Sequence, residues 1–193
     1  ESICFLLLAM SNVASVISGP DAEMIMRLCF VTTKKIDLIR VHSKAMFLAD
    51  MFTNYSRAHQ YSALLVEEGV LPLLLHLMDT HPQNDLLIKV TETFSNISLN
   101  RKNRREIATC GIAGRLMMIF DRGSAPSRAS ALQLVGNLLF ANMLHEKVAT
   151  EPIVNCILKL LQDVETPKQA IAAAYCCCQL SRVYSSCEVL VKC

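Results

Sequence analysis

Leu64 to Met78 read LLVEEGVLPLLLHLM, and Glu106 to Phe120 read EIATCGIAGRLMMIF. Gly69 and Gly111 lie 42 residues apart. An apolar pair ends near each glycine, and a second apolar run begins directly after it. A glycine there is what a helix C-cap requires, because it takes positive φ with no Cβ penalty. The two stretches therefore read as two copies of a pair of short helices joined at a glycine. A third copy, KVATEPIVNCILKLL from Lys147 to Leu161, carries Pro152 where the glycine stood. Proline cannot take the left-handed conformation, so this joint is expected to turn by other means.

Each copy is followed by a proline-containing joint and a longer helical segment. Pro82, Pro126 and Pro167 stand at the openings of those segments, where a missing N–H costs nothing. The long segments align on a polar residue in an apolar context: MSNVA, LADMF, FSNIS, VGNLL and CCQLS. The aligned polar residues are Asn12, Asp50, Asn96, Asn137 and Gln179. The residue before is small (Ser11, Ala49, Ser95, Gly136, Cys178), and the one before that is apolar (Met10, Leu48, Phe94, Val135, Cys177). Self-similarity at a fixed period of this length marks a repeat protein. The unit is three helices, two short and one long. A partial repeat spans 1–17, with a long helix at 2–17. A divergent one covers 22–55, with helices near 22–33 and 36–54. Fuller repeats cover 57–100, 101–142 and 144–183, and a partial one covers 185–193. That last segment, SSCEVLVKC, restates the first short helix, and the chain opens on Glu1 with no initiator Met. Both predict a piece of a longer array.

The composition agrees. In 193 residues, 52% are hydrophobic and 19% charged, enough to bury a core and too apolar for disorder. Six Gly and six Pro are few for the many tight turns of a sandwich or barrel. A net charge of +2 carries no signature of nucleic-acid binding. Nine Cys include the consecutive Cys176, Cys177 and Cys178, which cannot bridge one another. A reducing, intracellular compartment is expected rather than a disulfide framework: cytosol, cytoskeleton or nucleus. The apolar stretch Ile3 to Ile17 lacks a basic leader and carries Ser11, Asn12 and Ser15. It is shorter than the roughly 20 residues a membrane span needs, and reads as a buried helix.

The phrase NRREIATCGIAGRLMMIF (Asn103 to Phe120), with LVEEGVLPLLLHLM and the endings FSNIS and VGNLL, resembles the armadillo repeat. That family has an asparagine-arginine opening to its first helix, a glycine between its first two helices, and an Asn near the end of its third. The similarity covers 57–183 well and 1–56 loosely. HEAT repeats are the nearest alternative, but use two helices and usually lack the glycine joint. The resemblance implies an all-α, right-handed superhelical α-solenoid in which neighbouring units share one core and third helices line a concave wall. It implies that Asn96 and Asn137 hydrogen-bond an extended peptide, as this column does in importin-α-like and catenin-like members. The alternative for each is that the Asn braces the neighbouring helix. Asn12 is an N-terminal copy of the same position, whereas Asp50 and Gln179 depart from the pattern. Importin-like members also carry Trp four residues before the Asn. Here those positions hold Leu8, Met46, Glu92, Gln133 and Tyr175, and the chain has no Trp. That disfavours a karyopherin-like cargo carrier. The candidate groove is thus Asn12, Asp50, Lys89, Glu92, Asn96, Gln133, Asn137, Tyr175 and Gln179.

Arg101, Lys102, Arg104 and Arg105 form a basic run before a first helix. The run suits phosphate, acidic partner helices, nucleic acid or a nuclear-localisation signal, and its alternative is a solvated helix entry. Aromatic residues interleaved for base stacking are lacking, which disfavours nucleic acid; if the run is used, an acidic protein surface is its expected partner. The five His have no zinc-type spacing to a Cys, and no phosphate loop, nucleophile elbow or catalytic carboxylate pair stands out. No cofactor, metal or catalytic residue is expected. The expected function is a non-enzymatic scaffold or adaptor that binds a protein or peptide segment. The alternative is a structural component packed in a large cytoskeletal or ciliary assembly.

Overall fold

The computed structural model describes residues 2–16, 19–35 and 40–183. The expected partial repeat at 185–193, and the first residues of the helix expected near 36–54, lie outside them. No strand occurs among the described residues. The chain divides between Asn100 and Arg101 into two compact units, 1–100 and 101–193.

The first unit contains α1 (Ser2–Val16), α2 (Pro20–Lys35), α3 (His42–Arg57), α4 (Ser62–Glu67), α5 (Val70–Thr80) and α6 (Asn84–Ser98). A 3-10 turn, His59–Tyr61, leads into α4. Gly69 takes φ 84° and ψ 36°, the left-handed conformation that the sequence required. The chain bends there by 83° between the α4 segment and α5. Leu86, Val90, Phe94 and Ile97 of α6 are all fully buried, a spacing that keeps one helical stripe on the core. The long helices α1, α3 and α6 lie side by side, with α3 in the middle. Below them Phe30 meets Phe52 at 5.3 Å, and Tyr55 meets Tyr61 edge-on at 6.0 Å.

The second unit contains α7 (Arg104–Thr109), α8 (Ile112–Arg122), α9 (Ala125–Leu139), α10 (His145–Val148), α11 (Glu151–Gln162) and α12 (Pro167–Leu180). The 3-10 turns Arg101–Asn103 and Asn142–Leu144 open its two repeats. Gly111 repeats the left-handed joint, at φ 99°. At the third joint Thr150 is extended, at φ −74° and ψ 149°, and Pro152 sits in the first turn of α11. The turn is made before the proline, which then costs no hydrogen bond. The long helices α9 and α12 pack along each other more extensively than any other pair in the unit.

Candidate functional site

The third helices carry the polar column, and the structure moves one member of it. Phe52, Thr53, Asn54, Tyr55 and Ser56 of α3 repeat, 42 residues on, as Phe94, Ser95, Asn96, Ile97 and Ser98 of α6. The burial of the two stretches agrees residue by residue. Ser56 and Ser98 each donate to the carbonyl three residues back, Thr53 and Ser95. Asn54, not Asp50, is therefore the counterpart of Asn96. Asp50 lies one helical turn earlier, in the column of Glu92. The cause is the helix boundary: α3 ends at Arg57, three residues beyond the expected end, because Phe52 and Tyr55 are both needed in the core.

On the first unit these polar groups engage neighbouring helices. Asn54 Nδ2 donates to Asn12 Oδ1 at 2.6 Å, and Asn96 Nδ2 donates to Ser56 Oγ at 3.0 Å. Lys89 Nζ meets Asp50 Oδ1 at 2.9 Å, and Arg57 reaches Glu92 Oε1 through Nη2 at 2.9 Å and Nε at 3.3 Å. Below them the hydroxyls of Thr53 and Thr93 lie 3.0 Å apart. Neighbouring long helices are thus stitched by complementary side chains. Each exposed pair is worth at most about 1 kcal/mol, but together they occupy the wall that the sequence offered to a peptide.

The second unit is built differently. A Cβ on Gly136 would sit 2.4 Å from Tyr175 Cε1, so the glycine is what lets this ring lie on α9. The Tyr175 hydroxyl then donates to Asn137 Oδ1 at 3.4 Å. Asn137 is only 4% exposed and Gln179 only 7%. Along this wall Tyr175 covers Asn137, and Arg182 donates to Gln179 Oε1 at 3.4 Å. Beside Tyr175 a cleft of about 320 Å³ opens between α9 and α12, lined by Gln133, Lys168, Ile171, Ala172 and Tyr175. Ile171 is 72% exposed, a large apolar side chain at the mouth of a mostly apolar cleft.

The basic run is divided by burial. Lys102 and Arg105 are exposed. Arg104 is 8% exposed, and its guanidinium lies 5.4 Å from the centre of the Phe140 ring, as do those of Arg101 and Arg182. Burial holds the Arg104 guanidinium below the usual arginine value; Tyr175 opposes the fall, and the like charge of Arg101 adds to it. Arg182 and Phe140 lie far from the run in sequence. Their sign was a cation three residues after Gln179 and an aromatic three residues after Asn137, one turn along the column.

A larger cleft, about 740 Å³, lies between α8 and α11. Arg128 pairs with Glu165 in its lining. His42 Nε2 lies 3.1 Å from Asp85 Oδ2, with the His81 ring 5.4 Å away. No group of three or more metal-ligating side chains occurs among the described residues. Cys176 is fully buried and its Sγ donates to the Leu132 carbonyl at 2.7 Å, whereas Cys177 is half-buried and Cys178 exposed.

No family model matches the sequence, and neither does any curated protein. Solved structures do match. A designed armadillo repeat protein in complex with the peptide (KR)4 superposes with a TM-score of 0.75 over 90% of this chain and 73% of its own, at 16% identity. The chain has an armadillo-like repeat fold. A second match, to computationally designed armadillo repeat proteins for modular peptide recognition, has the same TM-score at 17% identity, over 90% of this chain and 74% of that one. In armadillo terms α6, α9 and α12 are third helices, and Gly69 and Gly111 are the joints between first and second. Among the described residues no single helix is long and apolar enough to cross a membrane.

Proposed function

We infer that the chain is a non-enzymatic protein-binding module that holds a segment of a partner protein along the wall made by α9 and α12. The observation that carries this is the open cleft beside Tyr175, with Ile171 exposed at its mouth. Exposed apolar surface rimmed by polar groups such as Gln133 and Lys168 is the usual form of a protein contact site. The peptide complex of the designed armadillo neighbour supports the same reading. On the first unit Asp50, Lys89, Glu92 and Asn96 serve helix-to-helix contacts, so binding centres on Gln133, Ile171 and Tyr175. The reading places the module in an intracellular setting, with a scaffold or adaptor role. Photo-crosslinking groups at positions 133 and 171, with a random peptide library as bait, test it. Crosslinks from both positions are expected; crosslinks obtained only from a control position on α8 or α11 overturn it.

A second reading is supported by a separate observation. Phe5, Leu6, Val13 and Val16 of α1 are all exposed, more apolar surface than an isolated helix face leaves in water. This suits packing against another chain in a large assembly. Replacing Leu6 and Val13 by Ser would then release the chain from that assembly while leaving peptide crosslinking at Ile171 intact.

A further inference from the structure

We propose that the segment held by α9 and α12 is an extended peptide with a bulky apolar side chain close along the chain to a carboxylate. The apolar side chain, of Leu or Phe size, fills the cleft, and the carboxylate meets Lys168. This rests on the α9–α12 reading and names the chemistry of its partner. The cleft, about 320 Å³, stands at the lower end of the roughly 300–1,000 Å³ of small-molecule pockets, and suits a single side chain rather than a cofactor. Its walls are apolar. Ala172 is buried and, being small, leaves room above it, while Ile171 is exposed at the mouth. The Tyr175 hydroxyl donates to Asn137, which leaves the ring to the cleft.

Polar specificity falls to the exposed rim residues Gln133 and Lys168. Neither makes a hydrogen bond or an ion pair among the described residues. The Gln133 amide carries donor and acceptor groups, the complement of a peptide group. Among the described residues the lining holds Lys168 and no Asp or Glu, whereas the wider cleft between α8 and α11 carries acids and bases alike. An ammonium with no carboxylate beside it favours an acidic residue and rejects a basic one. The designed neighbour is in complex with the basic peptide (KR)4; this cleft selects the opposite charge. Lys168 precedes Ile171 and Ala172 by about one turn of α12, roughly 5 Å along the axis. An extended chain advances roughly 3.3 Å per residue, so the carboxylate belongs about one or two residues from the apolar side chain.

The test titrates the full chain with four fluorescein-labelled octapeptides that share a Gly-Ser frame and differ in a central pair: Leu-Glu, Leu-Gln, Leu-Lys and Ser-Glu. Fluorescence anisotropy, followed to about 1 mM, is expected to rank Leu-Glu first. Its margin is expected to be at least about tenfold over Ser-Glu and about threefold over Leu-Gln at low salt. The variants Lys168→Glu and Ile171→Ser both change exposed residues, and their melting curves are expected to match the parent's. Lys168→Glu is expected to invert the order of Leu-Glu and Leu-Lys, which a merely structural lysine would not do. Ile171→Ser is expected to weaken Leu-Glu and Leu-Gln alike, by about threefold or more. No saturable binding of Leu-Glu, equal affinity for Ser-Glu, or an order that Lys168→Glu leaves unchanged overturns the proposal. Equal binding of the three Leu peptides, with crosslinks at positions 133 and 171, overturns it and leaves the α9–α12 reading standing. Crosslinks obtained only at a control position on α8 or α11 overturn both.

Discussion

Gly136 and Tyr175 fit together as socket and plug: the ring carbons Cε1 and Cδ1 lie 2.4 and 2.5 Å from where a Cβ on Gly136 would be. Gly136→Ala must therefore displace the ring or part α9 from α12. Forcing extra volume into such a contact costs about 1–3 kcal/mol. Chemical denaturation should show that loss, and Tyr175→Leu in the Gly136→Ala background should recover part of it. A Gly136→Ala protein as stable as the parent would refute the fit.

The capping glycines and a helical one should respond with opposite signs. Gly69 and Gly111 sit at positive φ, so Gly69→Ala or Gly111→Ala should cost about 1–2 kcal/mol. Gly114 lies inside α8 with nothing within 4 Å of its would-be Cβ. Gly114→Ala should gain about 0.5–1 kcal/mol through helix propensity. Thermal melts of the three variants decide it.

The Thr53–Thr93 contact joins α3 to α6 at 3.0 Å inside the core. Replacing each by Val, singly and together, should give a coupling energy of about 0.5–1 kcal/mol in a double-mutant cycle. Strict additivity would mean that the two hydroxyls do not bond to each other.

Asp85 titrates below the usual carboxylate range, chiefly through its hydrogen bond with His42. A depressed folded value stabilises the fold above the ordinary carboxylate pKa of about 3.9, and this is lost as pH falls through the lower folded value. Urea midpoints across the acid range should fall less steeply for Asp85→Asn than for the parent. NMR titration of the Asp85 carboxyl in His42→Ala should return it toward the ordinary value.

Thiol labelling should sort the triplet by exposure. Cys178 is exposed, while burial pushes the thiols of Cys176 and Cys177 up, Cys176 most. Iodoacetamide on the native chain, read by mass spectrometry, should modify Cys178 first and Cys176 only after unfolding.

The repeat was legible because its marks are local. A glycine at the first joint and a proline at the second each answer a backbone need that no packing partner alters, and the Pro152 joint turned by other means as its ring demands. The wall was less legible because its register and burial are settled between helices. LADMF and FTNYS both offer a small residue, a polar one and an apolar one. Only the packing of Phe52 and Tyr55 selects the second, which puts Asn54 in the column. For Asn137 the column left peptide contact and a brace both open; Tyr175, 38 residues away, closes over it. Arg182 was missed because its partner, the Phe140 ring, lies 42 residues away and belongs to no recognised pattern.

Repeats are commonly treated as interchangeable parts, duplicated or shuffled one at a time. The stitching between α3 and α6 limits that freedom here. Asp50 with Lys89, Arg57 with Glu92, Ser56 with Asn96 and Thr53 with Thr93 each divide one contact between two repeats. A splice that exchanged either helix alone would leave half of every such contact facing a stranger. The unit to keep intact in this half of the chain is therefore the α3–α6 seam, and grafts that carry both helices should outperform grafts that part them.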